Sequence, residues 1–358
     1  MARIIYAVAG EGFGHASRAH FVGQRFLEAG HDVIFAASLR ALLYLRPYYG
    51  ERVKEIFGLS YDYSKGYVDP MATLWKNLSH FPRGHRLNRE LFEQVYQPFE
   101  PDLVITDFEP FSAWWAWRHR VPFISIDNEH LLTLCELDHE FRDLFGHLNA
   151  KVVVRFHYLG AKAYVITNFF QAPLKSKAAV LAPPIVRPAI ARLQPSEAGH
   201  IVVYATTGTD EQRWRDVLGR FAAQEFHVYG FNKDAQWQNC VFKAASTEGF
   251  ATDLAAARGV IASAGYSLLS ECLYLRKKML LLPLAGQYEQ LLNARYVEKL
   301  GLGVWSKQVE ESVVSRFLDR IDEPFPQDGG ILWPDNEKFI GTLRTVLASL
   351  DTRARIAI

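Results

Sequence analysis

Residues 260–294 read VIASAGYSLLSECLYLRKKMLLLPLAGQYEQLLNA, and their pattern decides the fold. Residues 260–262 are a short apolar run, broken by Ser263-Ala264-Gly265. Leu268, Leu269, Cys272 and Leu275 follow at helical spacing, in a helix expected from about Ser267. Residues 279–282 are an apolar run of strand length that Pro283 stops. This is one turn of a parallel α/β sheet: strand, glycine turn, helix, buried strand, loop, next helix. Its polar residues fall at strand carboxyl ends and helix amino ends, where open α/β sheets bind ligands.

Working outward, residues 4–8 are an apolar strand running into Gly10-Glu11-Gly12-Phe13-Gly14-His15. A helix is expected over 16–29, with Phe21, Val22, Phe26 and Leu27 toward a core and Gly30 closing it. Residues 31–36 are the second strand of this βαβ unit. A dinucleotide fold is disfavoured: the glycines are spaced G-x-G-x-G, and the second strand ends in Ala36-Ala37-Ser38, with no acid for a ribose. Further strands are expected at 103–106, ending at Asp107, at 123–126, followed by Asp127-Asn128-Glu129-His130, and at 164–167. Residues 183–199 hold four prolines and no periodicity, and read as a linker. A second series follows, with strands at 201–204, 226–229, 241–243 and 260–262 and a turn at Ala205-Thr206-Thr207-Gly208-Thr209. The expected plan is two α/β domains, 1–190 and 198–335, with the last helix, within 336–358, returning to the first.

A length of 358 residues lets each domain bury its own core. A net charge of +1 argues against a general nucleic-acid binder. Three scattered cysteines, Cys135, Cys240 and Cys272, give neither a disulfide framework nor a metal pattern, which fits a reducing cytoplasm. No apolar run reaches the ~18 residues a membrane span needs, and the first strand is too short for a signal peptide. Residues 44–98 resist periodicity: Tyr61, Tyr63, Tyr67, Trp75 and Phe81 alternate with Gly66, Pro70, Pro82 and Gly84, beside Arg83, His85, Arg86 and Arg89. They read either as an insertion with solvated arginines or as an acceptor-binding segment touching lipid or phosphate headgroups.

Four features of the second half carry chemistry. Gly265-Tyr266-Ser267 lies between a strand and a helix amino end, where unpaired amides and the helix dipole favour an anion; Ser267 adds a donor there or is simply the N-cap. Glu271 lies four residues on, on the same helix face, placed to accept from ribose hydroxyls or to decorate the surface. Glu289, Gln290 and Asn293 pair an acid with amides, suited to vicinal sugar hydroxyls. Thr207 and Gly208 offer further donors to a diphosphate.

The order of Gly265, Ser267, Glu271, Pro283, Glu289, Gln290, Asn293 and Ala294 resembles the donor-binding half of GT-B glycosyltransferases. It is most similar to the branch of the lipid-linked peptidoglycan precursor N-acetylglucosaminyltransferase. The resemblance implies two Rossmann-like domains facing across a cleft, with Gly265 and Ser267 on the diphosphate, Glu271 on the ribose, Glu289 and Gln290 on the sugar, and backbone near Phe250 on the base. Ser263 stands where the plant natural-product branch has a histidine, so the diphosphate contact differs there. Gly12, Gly14 and Arg18 look like the superfamily's acceptor loop. By the same resemblance His15 is the general base and Asp107 its orienting acid. An imidazole suits the task, with an ordinary pKa of about 6.5; a lone histidine at a helix start is otherwise a cap or core residue. Glu109, Asp127 and Glu129 are rival bases.

The activity implied is inverting, hexosyl transfer from a UDP-sugar to a hydroxyl of a small molecule or a lipid-linked glycan of the cell envelope, without metal or cofactor. The implied place is the cytoplasm, with peripheral contact at the inner face of the membrane. A sugar-nucleotide 2-epimerase and a non-catalytic sugar-nucleotide binder are the alternatives.

Overall fold

The apolar runs pair into two parallel-dominated sheets of seven strands each. A computed structural model describes residues 1–60, 70–138, 144–157, 160–205, 210–327, 329–352, 354 and 356–358. These divide into two units, one holding 1–60, 70–185 and 335–358, the other 186–334.

Unit 1 runs β1 (Arg3–Val8), α1 (Gly14–Glu28), β2 (Asp32–Ala37), α2 (Leu39–Tyr49), β3 (Val53–Glu55) and α3 (Pro70–Leu91). A π-helical turn over Phe92–Tyr96 and the short α4 (Gln97–Phe99) extend α3. Then come β4 (Leu103–Asp107), α5 (Pro110–His119), β5 (Phe123–Asp127), α6 (Leu131–Leu134), α7 (Leu144–His157), β6 (Ala163–Thr167) and β7 (Ala179–Ala182). The strands stand in the order β3-β2-β1-β4-β5-β6-β7. Every residue of β4 and β5 is buried, as expected of parallel strands covered on both faces.

Unit 2 runs α8 (Pro188–Ala191), β8 (Ile201–Tyr204), α9 (Glu211–Leu218), β9 (Phe226–Tyr229), β10 (Ala235–Trp237), β11 (Cys240–Phe242) and α10 (Thr247–Ala256). It continues with β12 (Gly259–Ala262), α11 (Tyr266–Tyr274), β13 (Lys278–Leu281), α12 (Tyr288–Lys299), β14 (Gly303–Trp305) and α13 (Glu311–Arg320). The order is β10-β11-β9-β8-β12-β13-β14, with β10 antiparallel at the edge. The last helix, α14 (Asn336–Ala348), packs in unit 1, where Phe339, Ile340, Leu343 and Leu347 join Val22 and Phe26 in one core. Strand order reverses between β1 and β4 in one sheet and between β8 and β12 in the other. Crevices at such reversals are the usual ligand sites of open α/β sheets.

The division between the units, at 185/186, falls inside the proline-rich stretch 183–199. That stretch is held to its surroundings: Ser196 and Ala198 donate to the Ala255 and Ala256 carbonyls, at 2.9 and 2.8 Å, and Tyr274 Oη donates to Ala191 O at 2.9 Å. Prolines removed the periodicity, while bonds to α10 and α11 and within the stretch itself hold its backbone. Residues 44–98 are helix-rich, with Pro47 inside α2 and Pro82 inside the 22-residue α3; Tyr61, Tyr63, Gly66 and Tyr67 lie outside the described residues. No helix described is long and apolar enough to cross a membrane. Cys135, Cys240 and Cys272 are buried thiols; burial pushes the first two up to about 11.

Candidate active site

In unit 1 the glycine loop follows β1. Gly12 adopts φ +79°, a conformation side chains resist. At Gly10 a Cβ would lie 2.5 Å from Ser38 Oγ, so this residue lets the first two βα loops approach. Gly14 is the first residue of α1, and His15 and Arg18 share a face one turn apart. Both meet Asp107, the last residue of β4, which pairs in register with Val8 of β1 at the reversal of strand order.

His15 Nδ1 lies 2.6 Å from Asp107 Oδ1. Arg18 forks onto the same carboxylate, Nε to Oδ2 and Nη2 to Oδ1, each at 2.7 Å. Arg18 is therefore buried as a clamp on Asp107, in the loop that the resemblance had given to the acceptor. On the other side of the ring, Glu129 Oε1 lies 3.5 Å from His15 Nε2. Burial opposes charging this imidazole, but Glu129 and Asp107 outweigh it and raise the pKa to about 9. His15 thus departs from the ordinary value near 6.5 expected of it, and stands as an imidazolium between two carboxylates at neutral pH.

The rival bases separate by partner. Glu109 is the N-cap of α5, accepting from the Phe111 and Ser112 amides at 2.8 Å each, and burial raises its carboxyl to about 7. Asp127 accepts from His130 Nδ1 at 2.7 Å and from the His130 amide at 2.9 Å, and also from Ser125 Oγ. Burial works to raise Asp127, yet His130 and Ser125 hold it down at about 2. Of the three rivals, Glu129 is the one that reaches the outer nitrogen of His15.

In unit 2 the turn Ser263-Ala264-Gly265 joins β12 to α11 at the second reversal. Gly265 is the N-cap, with no side-chain capping bond, which leaves Ser267 inside the first turn and not at the cap. Gly265 has φ −66°, and a Cβ there would meet no described atom within 4 Å. Neither conformation nor packing requires a glycine here. Glu271, one turn below Ser267, is 3% exposed. Arg187 forks onto it, Nε to Oε1 at 2.5 Å and Nη2 to Oε2 at 2.8 Å. The surface-decoration reading of Glu271 is thereby set aside.

Gln290 and Asn293 are buried and bonded to backbone. Gln290 Oε1 accepts from the Leu284 amide at 3.0 Å, and its amide donates to Gln287 Oε1, tying down the loop after β13. Asn293 Nδ2 donates to Ala264 O at 3.1 Å and to Glu289 Oε1 at 3.4 Å, so it steadies the β12–α11 turn. Phe250 lies in the first turn of α10, its ring centroid 5.5 Å from that of Tyr204 and 5.0 Å from that of Tyr229. Thr207 and Gly208 lie outside the described residues.

Among the described residues one further group has metal-ligand character, His200, His227 and Asp253. Asp253 Oδ2 already accepts from Lys243 Nζ and Tyr229 Oη, both at 2.6 Å, and from His227 Nδ1 at 3.0 Å. A lysine ammonium fills the cation's place. Sequence reasoning missed this network and the reach of Arg187, because neither leaves a motif: their members are spread over strands, a helix and a proline-rich stretch.

The family model described as glycosyl transferase family 1 matches residues 2–322. Among solved structures, the glycosyltransferase of kitacinnamycin has a TM-score of 0.66 at 15% identity, covering 97% of this chain and 95% of that one. CalG4, the calicheamicin glycosyltransferase, has a TM-score of 0.61 at 16% identity, covering 98% and 95%. Phytolacca americana UGT2, complexed with UDP-2-fluoro-glucose and pterostilbene, has a TM-score of 0.58 at 12% identity, covering 96% and 99%. No curated protein matches in sequence. These neighbours share the two-domain α/β architecture of GT-B glycosyltransferases, and with a family model spanning nearly its whole length, the chain belongs to glycosyl transferase family 1.

Proposed function

We propose that the chain is an inverting glycosyltransferase that moves a hexosyl unit from a UDP-sugar to an acceptor hydroxyl. The observation that carries this reading is His15 on Asp107, a nearly buried imidazole oriented through Nδ1 at the strand reversal of unit 1. In the fraction of molecules whose ring has lost its Nε2 proton to solvent, His15 Nε2 takes the acceptor's hydroxyl proton while the acceptor oxygen bonds to the sugar's anomeric carbon. Asp107, held by Arg18, stabilises the charge that forms on the ring. The bond from the anomeric carbon to the diphosphate breaks, its electron pair staying on the UDP oxygen. The first turn of α11 and the Ser267 hydroxyl meet that charge, with no cation assigned to the step. Glu271 takes the ribose, Glu289 the sugar and the Phe250 region the base. Gln290 and Asn293 hold the loops that carry them.

For the acceptor we assign an apolar body with an anionic group, of which a lipid-linked glycan is one form. Trp75, Leu78 and Phe81 stand exposed along α3 beside Arg83 and Arg86, also exposed. The complex of UGT2 with UDP-2-fluoro-glucose and pterostilbene supports a UDP-hexose donor and an organic acceptor in this fold.

The donor half is tested by thermal denaturation with UDP, UDP-glucose, UDP-N-acetylglucosamine and NAD. Uridine species should raise Tm and NAD should not; stabilisation by NAD alone would overturn the reading. With an acceptor in hand, His15→Ala should lower kcat by about 10²–10⁴-fold, and near-wild-type kcat in that variant would remove His15 from the mechanism.

A further inference from the structure

β5 ends at Asp127, and the turn after it holds Glu129 in a fixed place. Asp127 Oδ1 accepts from the His130 amide at 2.9 Å and Oδ2 from the His130 ring at 2.7 Å. The Leu131 and Leu132 amides donate to the Asn128 and Glu129 carbonyls, at 3.2 and 3.0 Å, and open α6. Within this turn Glu129 Oε2 accepts from the Asn128 amide at 3.2 Å, and Oε1 is the oxygen 3.5 Å from His15 Nε2. The Glu129 and His15 side chains are 10% and 14% exposed while Asp107 is fully enclosed, so a ligand reaches the ring from the Glu129 side. The chemistry of that pair changes with the ring. In the base form Nδ1–H donates to Asp107 and Nε2 offers a lone pair, while an ionised carboxylate only accepts. Two acceptors 3.5 Å apart cannot bond each other, and they call for a ligand that brings two donors side by side. Vicinal hydroxyls held gauche have their oxygens slightly closer than this, so one can donate to each atom in nearly parallel bonds. A single hydroxyl has one proton and serves Nε2 alone.

We propose that Glu129 selects the acceptor: Glu129 Oε1 and His15 Nε2 together take the two donors of a vicinal diol, as on a sugar ring or a glycerol, and transfer occurs at the hydroxyl over Nε2. The inference rests on His15 as the base of the proposed transfer. It makes the hydroxyl beside the reacting one part of recognition. Glu129→Gln keeps an acceptor without the charge, and Glu129→Ala removes it.

Two alcohols that differ by one hydroxyl test it, with the intact chain and UDP-glucose or UDP-N-acetylglucosamine as donor. The phenyl ether of glycerol carries a vicinal diol, and phenoxypropanol is the same molecule without the inner hydroxyl. Rates are taken above about pH 9, where His15 is in its base form and the effect of Glu129 on its titration does not enter. Wild type should favour the diol by roughly ten- to a hundredfold in kcat/KM, the worth of a hydrogen bond to a charged acceptor. The preference should fall to a few-fold in Glu129→Gln and to about unity in Glu129→Ala. If Glu129→Ala does not fold, Glu129→Gln carries the comparison. A wild type that uses both alcohols equally overturns the selection by Glu129 and leaves the transferase reading standing. Variants that keep the full preference do the same. Transfer to neither alcohol overturns this inference, and if UDP also fails to raise Tm the transferase reading falls with it.

Discussion

His15 has a carboxylate at each ring nitrogen, and the two do different work. Asp107 holds Nδ1 and is itself clamped by Arg18, so it orients the ring. Glu129 faces Nε2, the nitrogen that must lose its proton before it can act as a base. With the pKa raised to about 9, the base form grows as pH rises, so kcat/KM should climb through pH 7 and level above about 9. Glu129→Gln removes a charge that favours the imidazolium; the ring should then titrate lower, and the rate limb should move to lower pH. Ring titration by NMR checks the first and rate profiles the second. An unmoved titration would show that Glu129 does not act on His15. Linkage has a definite sign here: the folded value exceeds the unfolded one, so the stability His15 contributes is complete below about 6.5 and fades as pH climbs through about 9. At this scale the sequence was only partly legible. Asp107, Glu109, Asp127 and Glu129 all read as acids at or just after strand ends, and only three-dimensional partners tell a cap from an orienter.

At the scale of elements, two glycines of unit 2 make a matched pair. At Gly303, in β14, an added Cβ would lie 2.0 Å from the backbone oxygen of Met279 in the neighbouring strand. Gly265, at the head of α11, has open space there. Gly303→Ala should cost on the order of 3 kcal/mol by prising β13 from β14, seen as a lowered melting temperature. Gly265→Ala should leave melting unchanged while weakening UDP binding at least tenfold, because its methyl would occupy the approach of a diphosphate. Unchanged UDP affinity in the folded Gly265→Ala chain would argue against that approach. Periodicity found α11 and β13 within a residue or so, since their apolar spacing is clean. It failed at α2 and α3, where Pro47 and Pro82 imitate breaks inside helices, and at 183–199, where prolines hide a docked segment.

For the whole molecule, the strand series on either side of residue 186 build sheets that reverse at corresponding places without any shared sequence repeat. Alternating apolar runs and helical spacings made that α/β plan legible, because parallel strands buried on both faces must be nearly all apolar. Strand order was not legible, since it depends on contacts between distant runs. The chain's last helix illustrates this: α14 belongs to the core of unit 1, where Phe339 is fully buried. Phe339→Ala should cost about 3–5 kcal/mol, a large part of a domain's usual margin of about 5–15 kcal/mol. Hydrogen exchange should show lost protection across β1, β4 and α1, with the strands of unit 2 keeping theirs. Equal loss in both units would contradict the division described.

The three cysteine side chains are enclosed and un-ionised at neutral pH. Thiolate is the reactive form, so alkylating dyes should pass them by while the chain is folded. A single cysteine placed at an exposed position would then be the one point of attachment. The native sequence already serves as its own background for site-specific labelling, with no thiol to remove first.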